Sequence, residues 1–159
     1  MSTFLKLVFV AIAVLAISKL LKTGSLAGQT VGLPLEVRAI TGSPIQPGKP
    51  TILEFWATWC GPCRQTIPHL NRIYNEYQPK GLQIVGLTNE EPATVLNFQK
   101  QVPMNYPVAQ DQAGKYSKMF GIRGIPAMAL LDAKGVVVWQ GHPAAFRPEE
   151  HLPAILPKQ

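Results

Sequence analysis

Cysteine and candidate metal ligands are scarce in this sequence. Its 159 residues include two cysteines, Cys60 and Cys63, and three histidines, which are His69, His142 and His151. A structural zinc site takes four ligands, and no histidine stands at a suitable spacing from the cysteine pair. Internal repeats and low-complexity stretches are absent as well. We therefore expect a non-repetitive globular chain without a metal site.

A strongly basic segment is also lacking. The net charge is +6, but three basic residues belong to the N-terminal segment, Lys6, Lys19 and Lys22. The rest of the chain has 12 basic and 9 acidic residues, a net charge of +3. No basic run with interleaved aromatic residues occurs, although a basic patch or stripe is what a nucleic-acid-binding surface requires. The sequence predicts no nucleic-acid partner.

The N-terminus is the most apolar part of the chain. Residues 4–21 are apolar with three exceptions, Lys6, Ser18 and Lys19. As a helix, 18 residues span about 27 Å, which is near the hydrocarbon thickness of a bilayer. This pattern predicts a membrane anchor. A cleaved signal peptide is the alternative, because the uninterrupted apolar core, 7–17, has only 11 residues.

The composition divides the chain into three parts: an anchor or signal peptide (1–22), a linker (23–32) and one domain (33–159). One domain is the default for this length. Lysines on both sides of the apolar segment leave its orientation nearly tied under the positive-inside rule.

The two cysteines stand at the junction of an apolar run and a helical pattern. Cys60 is placed at the mouth of the helix, where free backbone N–H groups and the helix dipole favour a thiolate. Gly61 permits a close turn, and Pro62 suits the first helical turn because its missing N–H would be unpaired there anyway. Cys63 lies one turn inside, within reach of Cys60. This pattern indicates a redox pair, since a purely structural disulfide closing so short a loop would stabilise little.

Periodicity predicts alternating strands and helices. Thr51–Trp56 is a nearly continuous apolar run typical of a buried central strand. The expected elements, in order, are an N-terminal hairpin (33–40 and 43–46), a strand (51–56), a helix (62–77) with Pro68 inside, a strand (82–88), a helix (91–102), a strand (106–109), a helix (113–120), a hairpin (127–131 and 136–140) and a helix from Pro148. This order predicts an α/β fold with a central mixed sheet flanked by helices.

The segment Trp59-Cys60-Gly61-Pro62-Cys63 resembles the active-site motif of the thioredoxins, and Glu54-Phe55-Trp56-Ala57 matches their preceding strand. More specifically, residues 33 to about 140 resemble the membrane-anchored TlpA/ResA-like thiol–disulfide oxidoreductases. The resemblance implies a thioredoxin-like fold with an inserted helix and strand within 89–112. It also implies a domain on the periplasmic or extracytoplasmic side of the membrane.

Glu54 is an acid within an apolar strand. Burial there would penalise its charge and raise its pKa. The resemblance places it where thioredoxins have a buried aspartate, which implies that it takes the proton of Cys63. Many TlpA/ResA-like proteins have a glutamate where this chain has Thr66, and we expect Glu54 to do that acid's work. The alternative is a solvated glutamate at a sheet edge.

The resemblance also implies a substrate-binding surface. Ile125-Pro126 matches the thioredoxin X-Pro whose bond is cis and whose backbone faces a bound substrate strand. An ordinary proline at the start of a strand is the alternative. The rest of the predicted surface lies next to the cysteines and consists of Trp59, Gly61 and Pro62.

These features predict a protein-disulfide reductase. Thiolate Cys60 would attack a substrate disulfide and Cys63 would resolve the mixed disulfide. No cofactor is expected, because the redox-active group would be the Cys60–Cys63 disulfide itself. The resemblance implies protein disulfide substrates, such as those of cytochrome c maturation or copper-site assembly, and a membrane electron donor of the thiol-transferring type. We expect a monomer.

Two other functions compete with this interpretation. A copper or zinc carrier would use the same two cysteines as metal ligands. A peroxidase relative is less well supported, because the Pro-x-x-x-Thr-x-x-Cys pattern associated with peroxiredoxins is missing.

Overall fold

The computed structural model describes residues 26–43 and 45–157. Six strands are present, β1 (Arg38–Thr41), β2 (Thr51–Phe55), β3 (Gln83–Thr88), β4 (Val108–Gln110), β5 (Ala127–Leu131) and β6 (Val137–Gly141). The α-helices are α1 (Gly61–Tyr77), α2 (Pro92–Gln99), α3 (Lys115–Met119) and α4 (Pro148–His151). Short 3₁₀ turns cover Gln78–Lys80, Gln112–Gly114 and Pro143–Ala145.

The strands form one mixed sheet in the order β1-β4-β3-β2-β5-β6. The three middle strands, β4, β3 and β2, run parallel to one another, whereas β1, β5 and β6 pair antiparallel with their neighbours. Every residue of β2 is buried, as expected for a central strand covered on both faces. The predicted mixed sheet is therefore confirmed.

Side chains of β2 alternate between two apolar layers, because successive residues of a strand point to opposite faces. Leu53 and Phe55 belong to a core that includes Phe120, and the Phe55 and Phe120 rings lie 5.5 Å apart. Ile52 belongs to the opposite layer, together with Leu70 of α1. The second layer therefore lies between the sheet and the helix that begins next to the cysteine pair.

The prediction of an additional helix and strand between β3 and α3 is confirmed. Helix α2 and strand β4 occupy this part of the chain. β4 inserts between β1 and β3 and pairs with both. Helix α2 is shorter than the predicted 91–102, and α3 is shorter than 113–120 because Ala113 adopts a positive φ of 53°.

The predicted N-terminal hairpin is wrong. β1 pairs with β4, and the described residues of the 43–46 segment are not a strand. The side chain of Gln83 explains part of this difference, because it donates to the carbonyl of Gln46 and accepts from the Gln46 N–H, each at 2.8 Å. The backbone of Gln46 is thus hydrogen-bonded without a partner strand.

The predicted anchor and the start of the predicted linker fall on residues 1–25, which lie outside the described part of the chain. Within 26–43 and 45–157, no helix is long and apolar enough to cross a bilayer. Residues at the end of the predicted linker pack on the domain. Gly28 and Val31 donate backbone hydrogen bonds to Val137 and Gly135, and Val31 is buried.

Candidate active site

The cysteine pair lies where the central strand β2 passes through a tight turn into α1. Cys60 is the N-cap residue of α1, and its Sγ accepts a hydrogen bond from the Cys63 N–H at 3.2 Å. The two residues form a disulfide, and both are buried, with 3% and 0% of their surface exposed. Pro62 occupies the first turn of the helix, as the sequence predicts. The Cys60 sulfur therefore lies at the N-terminus of α1 and accepts from a backbone N–H there, a position that favours an anion.

Of the predicted substrate-binding residues, Trp59, Gly61 and Pro62 lie at the surface, whereas Ile125 is half-buried and Pro126 is buried. Trp59 is 71% exposed, and Gly61 and Pro62 are exposed at the start of α1. The Ile125–Pro126 bond is cis, as the resemblance implies. A groove of about 260 Å³ runs beside this turn and is lined by residues that include Trp59 and Ile125.

Glu54 is fully buried. It lies between Ile52, which packs with α1, and Trp56, which packs with both cysteines, so its side chain shares their face of the sheet. Oε2 accepts a hydrogen bond from the Tyr106 hydroxyl at 2.6 Å. Oε1 has no hydrogen-bond partner among the described residues. Burial raises the pKa of Glu54 to about 7, although the Tyr106 hydrogen bond acts in the opposite direction.

Tyr106 is a residue that the sequence analysis did not assign to the site. It is fully buried just before β4. Burial, and next the Glu54 charge, raise the pKa of Tyr106 well above its usual value. The phenol therefore remains a hydrogen-bond donor to Glu54 over the whole neutral range. A buried tyrosine hydroxyl needs an acceptor, but a partner 52 residues away in the sequence leaves no local signal.

A third cluster forms around Thr58, in the turn before Cys60. Glu90 accepts hydrogen bonds from the Thr58 N–H at 2.7 Å and from the Thr58 hydroxyl at 2.6 Å. The Thr88 hydroxyl donates to the same carboxylate at 3.1 Å. Arg64 donates to the Thr58 carbonyl through Nε at 2.9 Å and Nη2 at 2.6 Å. Neither Glu90 nor Thr58 was singled out from the sequence, because loop residues without a motif carry no pattern.

Thr66 stands where many relatives of the predicted type have a glutamate. It is buried, with 7% of its surface exposed, and its hydroxyl donates to the Cys63 carbonyl at 2.9 Å. This hydrogen bond lies within α1, and a threonine hydroxyl has no carboxylate with which to take up a proton at neutral pH. Thr66 therefore supplies no acid here, and Glu54 is a fully buried carboxyl on the α1 face of the sheet.

Histidines and acids outside the site do not assemble into a metal centre. Across the described residues there is no cluster of three or more histidine, cysteine, aspartate or glutamate side chains that could hold an ion.

Comparisons with known proteins agree with this geometry. The sequence model of the AhpC/TSA family matches residues 32–140. The chain belongs to the AhpC/TSA family. It is 37% identical over 113 residues to the thiol-disulfide oxidoreductase ResA of Bacillus thuringiensis, a match that covers 69% of this chain and 65% of that relative. The chain thus spans slightly less than two thirds of the length of the curated relative.

Solved structures show the same fold. A protein assigned as the thiol:disulfide interchange protein DsbE of Chlorobium tepidum has a TM-score of 0.63 and 30% identity, covering 80% of this chain and 92% of its own. StoA from Bacillus subtilis has a TM-score of 0.59 and 26% identity, covering 67% of this chain and 84% of its own. The predicted thioredoxin-like fold of this family member is therefore confirmed.

Proposed function

We propose that this AhpC/TSA family member is a thiol–disulfide oxidoreductase that reduces disulfides of protein clients. The observation that carries the proposal is the position of Cys60, whose sulfur caps α1 and is joined to Cys63 beside an exposed groove. The names of the relatives, ResA and DsbE, describe thiol–disulfide chemistry and support the same class of reaction.

The reaction starts from the dithiol form. The Cys60 thiolate attacks one sulfur of the client disulfide, so that the client S–S bond breaks and its other sulfur leaves as a thiolate, which takes up a proton. A mixed disulfide now joins Cys60 to the client. Cys63 loses its proton and attacks the Cys60 sulfur, which releases the second client thiolate and forms the Cys60–Cys63 bond. The client gains two electrons, and the pair loses two.

Glu54 is the proposed acceptor of the Cys63 proton. Its position on the α1 face of β2, its complete burial and its unpartnered Oε1 support this role. Because burial raises the pKa of Glu54 to about 7, the carboxylate is a base suited to neutral pH. A solvated glutamate at a sheet edge, the alternative considered from the sequence, does not fit a side chain with no exposed surface.

The direction of electron flow follows from the Gly61-Pro62 dipeptide, which is that of the strongly reducing thioredoxins, at about −270 mV. We propose a reductase that works outside the cytoplasm, anchored through residues 1–22 and reduced again by a membrane thiol carrier. Client cysteines in cytochrome c maturation or copper-site assembly fit this role. We propose the groove beside Trp59 as the surface for such a client segment.

A copper or zinc carrier is the alternative considered from the sequence, and the described residues add no cluster of further ligands to the two cysteines. It would use Cys60 and Cys63 in the reduced state, when both thiols are available as ligands. Metal content of the reduced protein separates the two candidates: one copper per chain together with no disulfide reductase activity supports the carrier.

The proposed reductase is tested by trapping its mixed disulfide. Cys63→Ser should accumulate a disulfide-linked complex between Cys60 and a client peptide that contains a disulfide, whereas Cys60→Ser should form none. Non-reducing gel electrophoresis and mass spectrometry detect the complex. The assignment of the two cysteines is wrong if both variants trap the client equally or if only Cys60→Ser does so.

A further inference from the structure

We infer that Glu90 is a positioning residue for Cys60 and acts through Thr58. This inference rests on the proposed role of Cys60 as the attacking thiol. The carboxylate of Glu90 binds Thr58, two residues before the cysteine. It therefore holds the turn from which the cysteine projects.

The turn itself is defined by a hydrogen bond from the Cys60 N–H to the Ala57 carbonyl at 3.1 Å. Thr58 and Trp59 are therefore the two corner residues of a four-residue turn. Each polar group of Thr58 is bound. Its N–H and hydroxyl donate to separate oxygens of Glu90, and its carbonyl accepts from Arg64.

Glu90 is held in place as well. Its carboxylate accepts the Thr88 hydroxyl at 3.1 Å, and its backbone carbonyl accepts from the Gln110 side-chain amide at 3.3 Å. Thr88 ends β3 and Gln110 ends β4. The ends of two neighbouring parallel strands thus fix the carboxylate, and the carboxylate fixes the turn. Hydrogen bonds to an ionised acceptor are stronger than neutral ones, so the Glu90 carboxylate holds Thr58 more firmly than a neutral side chain would.

Fixing the turn matters because it keeps the Cys60 sulfur facing the Cys63 N–H, 3.2 Å away, a position at the helix N-terminus that favours a thiolate. A looser turn would let the sulfur leave this position for part of the time, and the thiolate would form at higher pH. The negative charge of Glu90 has the opposite effect, since an anion near Cys60 disfavours the thiolate. Positioning and charge therefore predict shifts of opposite sign when Glu90 is neutralised.

The test compares Glu90→Gln with Glu91→Gln. In the Glu90→Gln variant, neither Thr58 hydrogen bond keeps an ionised acceptor: the amide oxygen can accept from the Thr58 N–H, and the amide nitrogen can only donate to the Thr58 hydroxyl. Glu91 carries the same charge one residue later, and its side chain is contacted by Gln110 at 3.4 Å. Glu91→Gln therefore removes an equal charge nearby but leaves every Thr58 hydrogen bond in place.

The readout is the rate of iodoacetamide alkylation of Cys60 against pH in the fully reduced proteins, which needs no client. Glu90→Gln should raise the pH midpoint and slow alkylation at pH 7 roughly tenfold, as expected for a lost hydrogen bond to a charged group. Glu91→Gln, which removes charge alone, should not raise the midpoint. Thr58→Val, which keeps the N–H and loses the hydroxyl, should shift the midpoint upward by a smaller amount.

An equal downward shift of the midpoint in Glu90→Gln and Glu91→Gln would show that only charge matters. Wild-type midpoints in both Glu90→Gln and Thr58→Val would show that the turn is held without the hydrogen bonds between these two residues. Either result overturns the inference. If Glu90→Gln does not fold, Thr58→Val alone decides between these outcomes. Failure of the wild type to reduce any disulfide would instead count against the proposed function and leave the alkylation result unaffected.

Discussion

Two glutamates near the disulfide lie in opposite environments. Glu54 belongs to the buried layer beneath the disulfide, which consists of Glu54, Trp56 and Tyr106 and is called the floor below. Glu90 binds the turn in front of the disulfide, residues 57–60. On the floor, Glu54 has no exposed surface and one hydrogen bond, from a neutral phenol. At the turn, Glu90 is partly exposed and accepts three hydrogen bonds from Thr58 and Thr88. The same side chain is thus suited to exchange a proton in one place and to hold the backbone in the other.

Desolvation and the number of donors determine this difference. A carboxylate that keeps water or several donors stays ionised, whereas one that loses both is destabilised as an anion. The tryptophans divide in the same way, since Trp56 is buried against Phe98, 5.4 Å between ring centroids, while Trp59 is 71% exposed. Floor residues should therefore affect stability and its pH dependence, and residues at the turn should affect reactivity and client binding.

The largest effect should come from the buried tryptophan. Trp56→Ala should lower the free energy of unfolding by about 3–5 kcal/mol, as expected for loss of a large core aromatic. Trp56 also packs directly against Gly86, where an added Cβ would come within 2.8 Å of Nε1, and a glycine has no side chain that could fill the cavity. Guanidinium denaturation measures the loss, and a change below about 1 kcal/mol would contradict the contrast between the two regions.

Glu54→Gln should alter the pH dependence of stability. The folded-state pKa is raised from 4.5 to about 7, so the folded wild type binds the proton more tightly than the unfolded chain. The resulting stability is complete below pH 4.5 and is lost as pH rises to about 7, a total of about 3 kcal/mol. The advantage of the variant should therefore grow across this window and stay constant above it.

Denaturant midpoints of Glu54→Gln and wild type, measured from pH 4 to 8, check this expectation. Glu91→Gln is the control, because its carboxylate is exposed and should give a stability difference without such a rise. A constant difference for Glu54→Gln across the whole range would mean that the carboxyl is not desolvated in the folded protein.

Tyr106→Phe should move the pH window of the floor. The hydroxyl lowers the pKa of Glu54 by donating to the charged form, so its removal should raise that pKa further. The pH-dependent loss of stability should therefore occur at higher pH in the variant than in the wild type. Stability at pH 5 should fall by about 1 kcal/mol for the lost hydrogen bond. The midpoint of the pH–stability curve is the diagnostic quantity, and a shift to lower pH would contradict the assigned hydrogen bond.

The smallest effect on stability should come from Trp59→Ala. With 71% of its surface exposed, this side chain should contribute no more than about 0.5 kcal/mol to folding. The KM for a peptide disulfide should nevertheless rise, because Trp59 lines the groove. Steady-state kinetics measure the change. An unaltered KM would show that Trp59 does not contribute to client binding.

The sequence predicted the parts of the site that are close together in the chain. The Cys60–Cys63 spacing and Pro62 predicted the start of α1, and the apolar neighbours of Glu54 predicted its burial. These features are local, so one stretch of sequence contains both the residue and its environment. The cis bond before Pro126 was predicted from the thioredoxin resemblance and not from local pattern.

The contacts that the sequence did not predict join distant segments. Tyr106 meets Glu54 because β4 inserts next to β3, and Glu90 meets Thr58 because β3 ends beside the turn. The partner of β1 was assigned wrongly for the same reason, since a nearby segment was preferred to a strand far along the chain. Strand pairing decides these contacts, and periodicity within a segment carries no information about pairing.

The pH dependence of mixed-disulfide resolution tests the central claim most directly. A complex of Cys60 with a client peptide is prepared, and the release of the peptide by Cys63 is followed by stopped flow from pH 5 to 9. In the wild type, the rate should rise with pH around a midpoint near 7, the pKa of Glu54. Glu54→Gln should lose this midpoint and resolve about a hundredfold more slowly at pH 7, as expected for loss of a general base. Identical rates and identical profiles in the two proteins would contradict the assignment of Glu54 as the acceptor of the Cys63 proton.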